Sequence, residues 1–277
     1  MKSRTQQTSP ERGRRSSRRQ AAARGSKAAV VVRRIVAIAL LLVLWQVAVL
    51  TGIAPGLTPR VDRVALALIE ILGRADFWLA LLQTVSAALT GVAIATVVGV
   101  TIGLLVGSIP AAGRAVGLIL DFGRSFPTIA LLPVLILVIG ANWRMEVLVV
   151  SLAAVWPILV QSLYGAQQMT SAASEMTRSY RIPPLLKFRR VLLPSALPMI
   201  STGIRIAVAI SILVAVGVEV LSQTPGLGRL ITLAQGGGRW DLAFAYLFLI
   251  GCFGWGVTAL LARAEGRLLR WNRLGEK

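Results

Sequence analysis

Residues 84–107 read TVSAALTGVAIATVVGVTIGLLVG, 24 residues without a charge. As an α-helix rising about 1.5 Å per residue, the stretch is about 36 Å long. That crosses the roughly 30 Å hydrocarbon core of a bilayer. Ala87, Gly91, Ala95, Gly99, Gly103 and Gly107 recur at every fourth position. They therefore share one helix face with a slow drift. Small residues at this spacing let a second backbone approach closely in lipid, where packing has to hold helices together. The pattern leaves open whether that second helix belongs to this chain or to another subunit.

Outward from this stretch the chain repeats the theme. Ile35–Ile53 is an uncharged apolar run, broken by Pro55, Gly56 and Pro59. Residues 60–83 mix Asp62, Arg63, Glu70, Arg74 and Asp76 with Leu and Ala, and are expected to form an amphipathic interfacial helix ending near Phe77 and Trp78. Further spans are expected at about 116–140 (with Pro127 and Pro133 inside), 147–165, 199–221 and 242–262. With 35–53 and 84–107 these make six. The composition agrees: 56% of the 277 residues are hydrophobic and 15% are charged, too apolar for one soluble core. The expected organisation is a disordered basic leader over 1–34, a six-helix domain over 35–262 that includes a polar loop at 166–198, and a basic tail over 263–277.

The chain carries 30 Lys and Arg against 11 Asp and Glu, a net charge of +19. Such a balance fits a nucleic-acid binder or a membrane protein with positive loops, and the positions separate the two. Eleven basic residues precede Ile35. With both termini placed in the cytoplasm, 22 basic residues fall on the inner side and 6 on the outer. This asymmetry orients a membrane protein. Most of the charge is thus a topology signal, which argues against nucleic acid as a partner and for anionic membrane lipid.

Several chemistries are excluded. The chain has no His and one Cys, so imidazole-based triads, His-ligated metal sites and internal disulfides cannot form. No metal site and no catalytic residue are expected. Asp121, Arg124, Arg205 and Glu219 lie in or at the ends of spans. Charge inside a membrane usually faces the protein interior or water, so these four are candidates for lining a pathway. Snorkelling to the interface is the competing reading for Arg205 and Glu219. Asp121 and Arg124 are three residues apart and can pair on one face. If the substrate is an anion, Arg205 is the residue expected to meet it.

The most informative polar stretch is 166–198. Thr170 is a suitable N-cap, and a short helix from Ser171 should stop before Pro183. Such a helix has few large apolar residues to bury. It is either a docking element for a soluble partner or a plain surface loop.

The stretch resembles the coupling loop of ABC-importer permeases, whose pattern is Glu-Ala-Ala, three residues, Gly, nine residues, Ile-x-Leu-Pro. Glu175 falls on the Glu, Val191 on the Ile, and Leu193-Pro194 on Leu-Pro without a gap. The run Phe188-Arg189-Arg190-Val191-Leu192-Leu193-Pro194 is similar to the nitrate, sulfonate and taurine branch. Arg124-Ser125-Phe126-Pro127, Leu131-Leu132-Pro133, Trp156-Pro157 and Pro225-Gly226-Leu227-Gly228 agree in order and spacing.

The resemblance implies an all-α integral membrane protein of the type I importer permease kind, multi-pass in a prokaryotic cell membrane. It forms half of a pathway for a small solute, with a sulfonate or nitrate anion as one reading. Implied partners are a cytoplasmic ATPase dimer, a second permease in a homo- or heterodimer, and an extracytoplasmic substrate-binding protein. ATP would be used by the ATPase; this chain has no phosphate-binding Gly-x4-Gly-Lys-Ser/Thr loop and is implied to bind no cofactor. The residues implied to couple to the ATPase are Thr170, Glu175, Arg178, Arg181, Phe188, Arg189 and Pro194. The chain departs from the pattern at Met176 and Thr177, which replace both alanines, and at Arg181, which replaces the glycine. Either a second permease of the family type completes a heterodimer, or the ATPase groove is co-adapted. An ion-coupled transporter or channel is the alternative function, but it does not account for the 170–198 stretch. An intramembrane protease would need two facing acids, and Asp121 and Glu219 belong near opposite faces.

Overall fold

The computed structural model describes residues 11–53, 56–109, 117–168, 175–177 and 179–268. The chain divides into two compact units, Met1–Arg63 and Val64–Lys277.

The first unit is built on α1, Glu11–Leu50. The helix reaches back into the stretch that composition assigns to a disordered leader. Arg, Ala, Gln and Lys are strong helix formers, and extending an existing helix avoids the cost of nucleation. Its apolar part, Ala29–Leu50, is long enough to cross a membrane. After the break at Gly52, which has φ 73, the Val61 N–H donates to Gln46 Oε1 at 2.9 Å.

The second unit contains the helical bundle. α2 spans Val61–Leu72 and turns Val64, Ala67 and Ile71 inward. The amphipathic helix expected over 60–83 is divided at Gly73-Arg74, because Asp76 starts a new helix. Its Oδ1 accepts the Phe77 N–H at 3.0 Å, and Arg74 clamps both carboxylate oxygens at 3.1 and 2.8 Å. α3 therefore runs Ala75–Gly107, nine residues earlier than the uncharged stretch suggests.

The expected third span is not one straight helix. α4, Gly117–Ser125, and the segment Thr128–Ile139 are bent by 73°. That segment is a 3-10 turn, Thr128–Leu131, followed by α5, Leu132–Ile139. Pro127 offers no N–H and keeps Phe126 out of the α region, so the helix breaks there; Pro133 is tolerated in the first turn of α5. Gly140, with φ 84, ends α5. Asn142 then caps α6, Trp143–Gln167, by accepting the Arg144 and Met145 N–H groups at 3.0 and 3.2 Å.

α7 is a continuous helix from Pro184 to Ser222. It contains a π turn over Phe188–Leu192, in which the Leu193 N–H reaches Phe188. Pro194 has no N–H for the Arg190 carbonyl, and the wider turn accommodates that gap. α8, Leu227–Gly236, and α9, Trp240–Leu268, are the last of the described helices. Among the described residues five helices are long and apolar enough to span a bilayer, and the bent pair makes six.

α3, α6 and α7 form the core. The small-residue face of α3 meets α6 of the same chain. A Cβ on Gly103 would lie 2.6 Å from the Leu159 carbonyl oxygen and 2.6 Å from Ser162 Cβ. One on Gly107 would lie 2.6 Å from the Leu163 carbonyl oxygen. One on Gly91 would lie 2.5 Å from Val150 Cγ1, and one on Gly99 3.0 Å from Ile158 Cγ2. Ala95 is buried between them in the main core with Ala154, Ile158 and Ala207. Backbone-to-backbone approach of this kind leaves no room for a methyl group.

Candidate functional site

Three features are arranged along α7. Before its first turn lies the polar segment. Residues 175–177 and 179 are helical, while Thr170 and Arg178 lie outside the described residues. Thr177 is buried; Glu175, Met176, Tyr180 and Arg181 are exposed. The Tyr180 N–H donates to the Met176 carbonyl at 3.0 Å and the Ile182 N–H to the Thr177 carbonyl at 3.1 Å. The second bond is the six-residue closure of a Schellman cap, which puts Arg181 at the position past the helix end. There the backbone is left-handed, and Arg181 has φ 47. Glycine adopts that conformation freely, whereas a residue with a Cβ is disfavoured by about 1 kcal/mol. The glycine of the family pattern thus has a conformational reason, and Arg181 departs from it against that preference.

Beyond Pro183 the chain enters α7. Phe188, Arg189 and Pro194 are exposed, while Leu192 is buried with Leu104, Ala166, Ala196 and Ile200. The segment is anchored on the bundle by one face and presents the other outward. Its exposed apolar side chains, Met176, Tyr180, Leu185 and Phe188, sit among the cations Arg181, Arg189 and Arg190.

The second feature is a cavity of about 330 Å³ between the α4–α5 break, α6 and α7. Arg124, Thr128, Trp156 and Gln161 supply its polar groups, and Phe126, Ile210 and Val214 part of its apolar wall. Pro157 and Ala153 also line it. Pro157 brings no N–H to the Ala153 carbonyl, which leaves a backbone acceptor without its helical donor. Gly123 lets α4 lie against Trp156, since a Cβ there would run into the indole ring. Arg124 pairs with Asp121 at 2.7 Å across one helical turn, and both are largely exposed.

Arg205 is not directed into this cavity. It pairs with Glu265 of α9 at 3.3 Å, and Ser201 Oγ donates to the other Glu265 oxygen at 3.0 Å. Arg205 ties α7 to α9, and Arg124 is the cation of the cavity.

The third feature lies at the far end of α7. Glu219 is fully buried and accepts the Gly228 N–H at 2.7 Å. Gly226 is pressed against the same carboxyl, so a Cβ there would overlap it. Thr84 of α3 donates to the Ala80 carbonyl and accepts the Leu227 N–H, both at 3.0 Å. The turn 225–228 is thereby held by α7 and α3 together. Beside Glu219 stands Glu146 from the first turn of α6, only 2% exposed. Glu146 Oε1 and Glu219 Oε1 are buried without a hydrogen-bond partner, and among the described residues neither acid forms an ion pair. Glu219 is therefore part of a buried clasp and neither snorkels nor lines the cavity.

Glu146 was not singled out from the sequence. An acid in the first turn of a helix reads as an ordinary partner of the helix dipole. The available signal was an acid flanked on its far side by a long uncharged run, the same signal that drew attention to Glu219.

The family of binding-protein-dependent transport system inner membrane components matches residues 95–270. The chain belongs to that family. It is 32% identical over 206 residues to the nitrate import permease protein of Synechocystis sp., with 71% of this chain and 74% of the relative covered. It is 32% identical over 142 residues to a bicarbonate transport system permease protein of Synechocystis sp., and spans about half of that relative's length, 51% of each chain being covered. In fold it is similar to a chain of the MetNI methionine ABC transporter in an inward-facing conformation. The TM-score is 0.60 at 19% identity, over 70% of this chain and 94% of that one. It is a multi-pass cell-membrane protein with a type I importer permease fold.

Proposed function

We propose that the chain is the permease subunit of an ATP-driven importer of a small anion. It pairs with a second permease, receives substrate from an extracytoplasmic binding protein, and docks a cytoplasmic ATPase dimer on residues 170–194. ATP is bound and hydrolysed by the ATPase. The observation that carries this reading is the continuity of α7. One helix joins the exposed segment at Pro184 to the cavity wall at Ile210 and Val214 and to the clasp at Glu219. A displacement imposed by the ATPase at one end is transmitted along a hydrogen-bonded rod to the cavity. The names of the nitrate and bicarbonate relatives support an anion, and Arg124 supplies a cation in the cavity to meet it.

The test is Glu175→Lys in the transporter reconstituted with its ATPase and binding protein. We expect uptake driven by ATP to be lost while the permease inserts and folds normally. Wild-type uptake in this variant would end the docking reading.

A further inference from the structure

We infer that Arg181 is a specificity residue of the docking segment, its guanidinium placed to pair with a carboxylate in the groove of the cognate ATPase. The inference rests on the docking reading above. Its starting point is a conflict between backbone and side chain. The Schellman closure from Ile182 to Thr177 requires a left-handed residue at 181, and Arg181 takes it at φ 47. Glycine would do so at lower cost. A disfavoured residue persists where the surrounding contacts or its function hold it there.

Among the described residues Arg181 has no such contact. It is exposed, and among the described residues it has no ion pair. Glu175, six residues earlier at the start of the same short segment, forms no ion pair with it. The backbone from which the side chain departs is nevertheless well defined. The cap fixes the backbone on one side, and Pro183 and Pro184 stiffen it on the other. The result is a cation rooted on a fixed stretch of backbone, in the same capped segment as Met176 and Tyr180, which are 59% and 74% exposed. A planar fork of N–H donors rooted next to exposed apolar surface suits a carboxylate at a fixed site in a protein groove.

An anionic lipid headgroup fits the observations less well. Headgroups are mobile, and Lys187, Arg189 and Arg190 already offer cations on right-handed helical backbone. Glu175 would be repelled by the same lipid surface. A segment with Glu175 and Arg181 six residues apart is a mixed-sign surface, as protein interfaces are.

The test compares Arg181→Gly, Arg181→Lys and Glu175→Lys in the transporter assembled with its ATPase. Association is measured in nanodiscs of zwitterionic lipid across a salt series, and ATP-driven uptake in liposomes. Arg181→Gly relieves the backbone while removing the charge. If the cation reads the ATPase, association falls about tenfold, loses part of its salt dependence, and uptake falls with it. Arg181→Lys keeps the charge but loses the fork, and its association falls between those of Arg181→Gly and wild type. If Arg181→Gly associates and transports as well as wild type while Glu175→Lys fails, the inference is overturned and the docking reading stands. If both variants are as active as wild type, both fall. If Arg181→Gly is impaired only in liposomes containing anionic lipid, with association in zwitterionic nanodiscs unchanged, the cation reads headgroups and the inference is also overturned.

Discussion

The two ends of α7 use charge in opposite ways. Around Glu219 two carboxyls are buried together, with backbone N–H groups and threonines for company and, among the described residues, no ion pair to a cation. Around Arg181 to Arg190 the charges are cationic, exposed at the three arginines, and without an ion pair among the described residues. A buried charged or polar group is costly unless its partners are present, so the first end is built for one geometry. An exposed cation costs little and is available to a partner that comes and goes. The contrast separates a static clasp from a surface for exchange. It predicts that substitutions at the clasp act on folding, and those at the segment act on transport.

The largest expected effect is at Gly226. Gly226→Val places side-chain atoms inside the Glu219 carboxyl. The turn must leave α7, at a cost of about 3 kcal/mol or more. Size-exclusion profiles in detergent should show loss of monodisperse protein; a normal profile would remove the clasp from the comparison. Next is Glu175→Lys, for which uptake should vanish with the melting temperature unchanged. A fall in melting temperature would mean that the exposed end is structural after all.

A smaller contrast is available at Glu219 itself. Glu219→Gln keeps an oxygen for the Gly228 N–H and should cost less than about 1 kcal/mol. Glu219→Leu leaves that N–H buried and unsatisfied and should cost about 1–3 kcal/mol. Thermal unfolding in detergent orders the two, and equal losses would show that the hydrogen bond is not what holds the turn. The smallest effect is Arg181→Gly on the isolated chain. It should raise local stability by about 1 kcal/mol, read as slower amide exchange at Ile182, in the direction opposite to its effect on transport.

The spans, their order and the family pattern at Glu175 and Leu193-Pro194 could be read along the chain. So could the Asp121–Arg124 pair, one helical turn apart. Each of these signals is local. Lipid demands that every backbone group be satisfied within its own helix, so a membrane span announces itself in about 20 consecutive residues. Loop charge asymmetry and a four-residue repeat are likewise properties of position along the chain. The departure at Arg181 was legible as a substitution; its left-handed backbone required the cap geometry.

Pairing between distant segments was not legible. The small-residue face of α3 needed α6 as its partner, and nothing in the repeat names α6. Glu146 and Glu219 are 73 residues apart in sequence and side by side in the bundle. Arg205, expected to meet an anion, is taken up by Glu265, sixty residues away, while Arg124 reaches the cavity because Pro127 bends the chain by 73°. A charged side chain chooses its role from whatever the packing brings within a few ångströms. Hydropathy and spacing decide that a helix forms and that it crosses the membrane; which of its faces meets which neighbour is settled when the helices close on one another.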